Sequence, residues 1–450
     1  MMTGRLTAVL GLFVCALGGV AAPPVYAQEQ AAPEAAEGIL PLPDYTGDFL
    51  SRSHLTGDWG GTRTDLAARG VQVDLDWVQI GQAVVDGGRD TDAAYGGTLD
   101  LLLRLDLMRM GLVPGGLLTV RAESRYGESV NAAAGPILPV NTDGFFPLTD
   151  ELDDDLLIAI TNLNYTQFFS EQFAVFAGKI DTLDGDANEF ASGRGKSQFL
   201  NSQFVFNPAV ALRLPYSTLG GGVLLLPTET TTVKAAVFNT LDSSTTTGFG
   251  DFGDGTTATL EGSLQYRLGD LPGGVNLGGL YSWDQDFNQL NGELIFIPGQ
   301  GLIVPQRDET WAVFASTWQY LWVEEPTDQR INTGDGVPDL QGVGVFARLG
   351  FADKDTNPIE WTGSIGLGGR GLIPGRDHDT FGIGYSYSSI QDTLIGGAVG
   401  IADSTQAAEV YYSIAITPAV NLALDLQVVE SPFPRADTAV ILGMRLGARF

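Results

Sequence analysis

The sequence predicts an all-β fold: a transmembrane antiparallel β-barrel of about 16 strands preceded by a short N-terminal helix. Three observations carry that reading. Apolar and polar residues alternate at period two through segments of about ten residues or more, longer than the usual soluble strand and close to what a tilted strand needs to cross a bilayer. The connections between these segments alternate short and long along nearly the whole chain, as in barrels that carry tight turns at one end and longer loops at the other. No stretch after residue 27 approaches the roughly 18 consecutive apolar residues of a spanning helix, which excludes a helical membrane protein.

Composition narrows the function. Among 450 residues, Lys+Arg 24 stand against Asp+Glu 54, a formal net charge of -30. A polyanion is gripped by clustered Lys and Arg, so nucleic acid is not an expected partner. The two histidines, His54 and His378, and the single cysteine, Cys15, leave no material for a His/Cys metal centre, a Cys nucleophile or a disulfide framework. No cofactor is expected.

In chain order, residues 1–27 read as a secretory signal peptide. Arg5 supplies the basic start, Leu6 to Val20 the apolar run, and Val25-Tyr26-Ala27 the small-residue cleavage site after Pro23 and Pro24. The apolar run is short for a membrane anchor, and the bulky Phe13 and Val14 before Cys15 oppose a lipoprotein. Residues 28–52, rich in Ala, Pro and Glu at their start, read as a flexible tether because they can bury little apolar surface. The barrel domain is expected over 53–450. Within it, Arg63-Thr64-Asp65-Leu66-Ala67-Ala68-Arg69 forms the short helix, stopped by Gly70 in the left-handed cap position. Beyond Gly70 no further helical period is evident.

Strands are expected near 71–85, 97–110, 116–125, 156–168, 172–180, 209–227, 231–239, 257–268, 274–284, 310–322, 341–351, 361–370, 379–390, 407–416, 419–429 and 438–450. Residues 259–268 show the principle: Leu260, Leu264, Tyr266 and Leu268 share one face, and Thr259, Glu261, Ser263, Gln265 and Arg267 the other. Leu99 to Leu107 alternate likewise against Asp100, Arg104 and Asp106. The final strand places Val440, Leu442, Met444, Leu446, Ala448 and Phe450 together. Tight turns fall at 111–115, 170–171, 228–230, 269–273 and 417–418, and long polar segments at 126–155, 181–208, 240–256, 285–309 and 391–406. One connection breaks the parity: 323–340 is long where a turn is due, and 352–358 short where a loop is due. Either the strand count slips there or the barrel is irregular. A soluble sandwich or propeller also alternates, but with shorter strands and without this loop parity.

The segment Ser53-His54-Leu55-Thr56-Gly57-Asp58-Trp59-Gly60-Gly61-Thr62-Arg63 resembles the start of the carbohydrate-selective porins of the OprB family. Further blocks are similar to that family's motifs in the same order: 177–184, Pro215-Tyr216-Ser217, Val345-Phe346-Ala347-Arg348-Leu349-Gly350, Leu372-Ile373-Pro374-Gly375-Arg376-Asp377, Glu409-Val410-Tyr411-Tyr412 and the stretch from Asp425 to Leu446. The resemblance implies a sixteen-stranded passive channel of the bacterial outer membrane, narrowed by an inward-folded loop and admitting sugars. The loop parity by itself leads to the expectation that both chain ends are periplasmic. The implied partners are outer-membrane lipid and lipopolysaccharide, sugars as permeating solutes, the barrel-assembly machinery through the terminal aromatic Phe450, and further copies of the chain as a homo-oligomer.

An open barrel needs no catalytic group, only a lumen that favours the solute weakly enough to release it. The wet face of strand 116–125 carries Thr119, Arg121, Glu123 and Arg125, beside Asp100, Arg104 and Asp106. Mixed-sign pairs can donate to and accept from sugar hydroxyls, or they can brace the wall across strands; both readings use the same face. In the resembled family the loop after strand 172–180 forms the constriction, which adds Lys179, Asp181, Asn188 and Arg194 as channel candidates. The parity of that strand is ambiguous, because an inward Lys179 would bring Phe173 and Val175 with it.

Three motifs are set aside. Gly195-Lys196-Ser197 looks like the end of a phosphate loop, but Phe190 occupies the position of the first Gly. Asp328, Asn332, Asp335 and Asp339 do not fit a calcium loop and read as a solvated acidic turn. No nucleophile signature accompanies the two histidines, which weakens the competing reading of a barrel-based enzyme. A general diffusion porin shares the fold and remains the second alternative.

Overall fold

The computed structural model describes residues 38–144, 158–183, 186–291, 295–297, 301–327, 329–331, 336–391 and 400–450. The signal peptide at 1–27 lies outside them, as do Asp328, Asn332 and Asp335 of the acidic turn. The strands are β1 (Val71–Gly88), β2 (Ala93–Asp106), β3 (Gly116–Gly127), β4 (Ala159–Ser170), β5 (Phe173–Asp181), β6 (Ser217–Thr228), β7 (Thr231–Asn239), β8 (Thr256–Leu268) and β9 (Leu271–Asn288). A small hairpin, β10 (Ile295–Ile297) and β11 (Gly301–Ile303), precedes β12 (Gln306–Val323). The chain ends with β13 (Gly342–Ala352), β14 (Ile359–Arg370), β15 (Thr380–Ile390), β16 (Ser404–Thr417), β17 (Val420–Glu430) and β18 (Asp437–Arg449).

All strands but the hairpin pair antiparallel with their sequence neighbours, and β1 closes on β18. The seam register sets Trp77 against Ala448 and Ala83 against Leu442. Closure leaves the sheet no free edge, so backbone donors and acceptors are satisfied within the wall, the condition for spanning hydrocarbon. The expected two-faced pattern is present. Leu260, Leu264, Leu268, Ile383, Leu424, Leu426, Leu442 and Met444 are exposed on the outside, while Thr257, Ser386, Glu409, Gln427 and Arg445 are buried on the inside.

The expected sixteen strands all form, and the strand count runs unbroken through the anomalous region. The connection between β12 and β13 is long at the end that otherwise carries short turns, and that between β13 and β14 is short; the barrel is irregular there. Two local readings differ. β6 begins at Ser217, not near 209, because Asn207 accepts the Ala209 N–H and Pro208 opens a four-residue helix, Pro208–Ala211. Further four-residue helices form at Asn131–Ala134 and Ser202–Val205, too short for any period to be read.

Around the seam, Thr62–Ala68 is the predicted helix, and Gly70 ends it at φ +93° with its missing Cβ against the Asp106 carbonyl. Of the segment read as a tether, residues 38–52 lie against this rim. Ile39 and Leu40 donate to Asp106 Oδ2, Gln72 donates to the Pro41 carbonyl, and Tyr45 is wholly buried. Leu55 N–H bonds the Arg449 carbonyl at 2.7 Å. Buried Arg63 donates to the Phe450 carbonyl at 3.0 Å and to Asp74 at 3.1 Å, under the ring of Tyr45 at 4.0 Å. First and last strands are thus cross-tied by side chains as well as by the ladder.

Candidate functional site

The connection between β5 and β6, residues 182–216, folds into the barrel and is tied to the wall on several sides. Asn188 donates to Ser316 Oγ and the Thr317 carbonyl of β12. Arg348 of β13 donates to Asp186 at 2.8 Å, to the Phe204 carbonyl at 2.6 Å and to the Ala191 carbonyl. Glu409 of β16 accepts from the Leu200 and Asn201 N–H groups at 2.6 and 2.9 Å, and Arg445 of β18 donates to the Gly195 and Ser197 carbonyls. Irregular backbone at this depth needs such partners for its polar groups.

Three phenylalanines give the loop an apolar core inside the lumen. Phe190 packs at 4.8 Å on Tyr320, and Phe199 at 4.9 Å on Phe204 and 5.0 Å on Tyr411; none of the three has exposed surface. Glycines in the wall make room for them. A Cβ on Gly368 would lie 2.8 Å from Phe190, one on Gly382 2.8 Å from Phe199 and one on Gly384 2.7 Å from Phe204, closer than any carbon contact allows. The ring-in-notch packing holds the loop against the wall formed by β12 to β16.

On the opposite side the loop meets the charged face predicted on β2 and β3. Arg121 reaches Asp181 at 3.0 Å and Asp100 at 3.4 Å. Arg194 reaches Asp181 at 2.9 Å and Glu123 at 3.5 Å. Arg125 pairs with Asp143 at 3.0 Å and Glu123 at 3.6 Å, and Lys196 with Asp100 and Glu123. Four cations therefore face four carboxylates. Glu123, 1% exposed, also accepts from Thr161 at 2.7 Å and from Tyr216 at 2.6 Å. The Tyr216 hydroxyl donates this bond while accepting one from Arg194 at 2.6 Å. Arg194 sits at φ +57° between Gly193 and Gly195, a left-handed conformation unusual for a side chain of this size that is held by these pairings.

The open space lies elsewhere. A cavity of about 260 Å³ runs between the loop and β4 to β9, with Asn162, Asn164, Phe176, Phe238, Lys234 and Glu261 in its lining. A second of about 120 Å³ continues toward the short-turn end, lined by Lys234, Glu261, Asn276, Trp318 and Arg330 among others. Lys234 and Glu261 belong to both. Their Nζ and Oε2 atoms are 3.7 Å apart, and the Lys234 side chain is 41% exposed; Asn276 donates to Glu261 at 2.8 Å. Asn162 and Asn164 each have a buried Oδ1 without a hydrogen-bond partner among the described residues.

Of the sequence candidates, Arg121, Glu123, Arg125 and Arg194 come together in the ion-pair network with Asp181, the one member that also lines the cavity. Asn188 anchors the loop to β12. Arg104 pairs with Asp74 at 2.7 Å, on the side cross-tied by Arg63. Lys179 has the opposite parity to Phe176 and Ile180, and donates to the Ser244 and Thr246 carbonyls of the 240–255 loop. Sequence reasoning missed Lys234 and passed over Glu261. The signal was there: Glu261 lies on the wet face of 259–268, and Lys234, its register partner, shares parity with Thr232.

A profile described as carbohydrate-selective porin, OprB family, matches residues 90–450. Porin B of Pseudomonas aeruginosa is 23% identical over 451 aligned positions, which cover 88% of this chain and 91% of that protein. The high-pH structure of Pseudomonas putida OprB superimposes with a TM-score of 0.74 at 21% identity, over 90% of this chain and 100% of that one. The low-pH structure of the same porin gives 0.56 at 17% identity, over 89% and 99%.

Proposed function

The chain belongs to the OprB family of carbohydrate-selective porins, and from that premise we infer that sugars cross it along the two joined cavities, past Phe176, Phe238, Lys234 and Glu261. It is a bacterial outer-membrane protein through which sugars diffuse passively, and its family and fold are those of channels rather than enzymes. The observation that carries the route is the sharing of Lys234 and Glu261 by both cavities, which makes them one corridor. Its lining suits a neutral polyol. Aromatic rings offer apolar faces to the C–H side of a sugar, while asparagines and a loosely spaced Lys–Glu pair offer donors and acceptors to its hydroxyls. Contacts of this dispersed kind would let a neutral sugar leave as readily as it enters.

The ion-pair network takes the other role on this reading. Its cations and carboxylates already satisfy one another, so Arg121, Glu123, Arg125 and Arg194 position the loop that shapes the corridor, with Asp181 reaching both. A sugar would have to break buried pairs to bind there.

Replacing Phe176 and Phe238 together by Ala should shorten single-channel current block by glucose while leaving open-channel conductance equal to or above that of the native protein. If native channels are blocked by sugars no better than by neutral amino acids of similar size, the protein is a general diffusion porin and the corridor has no sugar preference.

The enzyme alternative requires a partnered histidine, and one contact invites it: Ser53 Oγ lies 2.9 Å from His54 Nδ1, and Asp74 lies 3.3 Å from His54 Nε2. Asp74 is also held by Arg63 and Arg104, and Tyr45 packs on the imidazole at 4.9 Å. We assign this cluster to clamping the N-terminal segment on β1. His54→Gln combined with His378→Gln should leave sugar permeation intact; loss of permeation from a correctly folded double variant would overturn the assignment.

A further inference from the structure

The connection at 324–341 is the longest at its end of the barrel, where the others span nine residues or fewer, and its residues 330–331 and 336–340 make contacts with the wall and the inward loop. Arg330 donates to the Glu229 carbonyl at 3.1 Å and to Thr232 Oγ1 at 3.2 Å. Ile331, 2% exposed, exchanges two hydrogen bonds with the Gln265 side chain, at 2.7 and 3.0 Å. Gly336 abuts Gly193 and Ser197 of the inward loop, Asp339 N–H donates to Glu189 at 2.7 Å, and Leu340 N–H donates to the Tyr320 hydroxyl. The segment therefore docks on both the wall and the constriction loop, and it carries Arg330 to the inner end of the corridor.

We propose that Arg330, together with Lys234, Glu261, Asn276 and Trp318, forms an inner subsite that accepts a sugar acid, a polyhydroxylated carboxylate, in addition to neutral sugars. The proposal rests on the corridor as the permeation route. Its ground is the balance of charge within the pocket. Glu261 is matched by Lys234 and by the Asn276 amide, whereas the contacts of Arg330 go to a carbonyl and a hydroxyl, and among the described residues no carboxylate pairs with it. Two bonds occupy part of a guanidinium that has five N–H donors in a planar fork shaped for a carboxylate. Trp318, 4% exposed, adds an edge of apolar lining to the same cavity. In a protein with a formal net charge of -30, an anionic solute meets repulsion over most of the surface, and a cavity lined by Lys234 and Arg330 against Glu261 is where a sugar acid would dwell.

The test measures the residence times of gluconate and glucose, from current block in single native and variant channels at fixed voltage and salt. Arg330→Gln should shorten gluconate residence about threefold, the size expected for one partly solvated ion pair, and change glucose residence by less. Arg330→Lys should keep part of the gluconate preference. Thr232→Val, which removes one of the bonds positioning Arg330 and leaves its charge, should give an intermediate loss and covers the case in which Arg330→Gln assembles poorly. Unchanged gluconate residence, or an equal change for both solutes, overturns the inner subsite while the corridor stands. Absence of glucose block in the native channel overturns the corridor itself.

Discussion

Replacing Phe190, Phe199 and Phe204 together by Ala should raise single-channel conductance severalfold while the barrel stays folded. The wall is held by its own closed ladder of sixteen strands, which does not need the loop. The loop, in contrast, depends on burying three rings that have no exposed surface. A buried Phe→Ala change costs about 3 to 5 kcal/mol where the site cannot collapse, and the notches at Gly368, Gly382 and Gly384 lie in a rigid sheet that cannot close over the space. The loop's remaining ties to this wall are polar, among them the bonds of Asn188 to β12 and those of Arg348, Glu409 and Arg445, and water that enters beside the loop competes for each of them. With the rings gone, residues 182–216 should leave the wall of β12 to β16 and the lumen should fill with water. Conductance in planar bilayers and protease cleavage within 182–216 read the two consequences separately. Native conductance with a protected loop would mean that the polar ties suffice and the rings only fill space.

The barrel was legible because period two is local. Leu260, Leu264 and Leu268 face out, and Glu261 and Gln265 face in, by nothing more than alternation in a strand. The reading failed where a local signal was overridden. Residues 209–214 alternate as a strand would, yet Asn207 and Pro208 start a helix there; cap and first-turn chemistry outweighed a short apolar pattern. The connection at 324–341 read as a possible miscount because turn length says nothing about what a segment docks against, and its partners, Gln265, Glu189 and Thr232, are remote in sequence. The inner core was illegible for the same reason. Phe190, Phe199 and Phe204 lie in a polar stretch, and their notches are glycines more than 150 positions away. For the charged face the residues were found by parity, but sequence could not say whether their partners were solutes or one another. That depends on Arg194 and Lys196, delivered by a loop whose path no period describes.

The same network predicts the largest electrostatic effect. Arg121 and Arg125 between them contact Asp100, Asp181, Glu123 and Asp143, and Arg121→Ala with Arg125→Ala would leave Arg194 and Lys196 as the cations facing those four carboxylates. Removing one partner of a buried pair costs about 3 to 5 kcal/mol because the other charge is left without compensation; the variant relieves that cost by admitting water and cations beside the loop. The reversal potential across a salt gradient should therefore move clearly toward cation selectivity. Glucose block should weaken too, but indirectly, because Asp181 and the loop residues that shape the corridor lose their anchor. Arg104→Ala is the matched control. It also removes an inward Arg, yet its partner Asp74 retains Arg63 and His54, and its side chain is already 32% exposed, so selectivity should stay near native. If Arg121→Ala with Arg125→Ala shifts selectivity no more than Arg104→Ala does, the network is isolated from the ion path, and the cations that set selectivity are those of the corridor, Lys234 and Arg330.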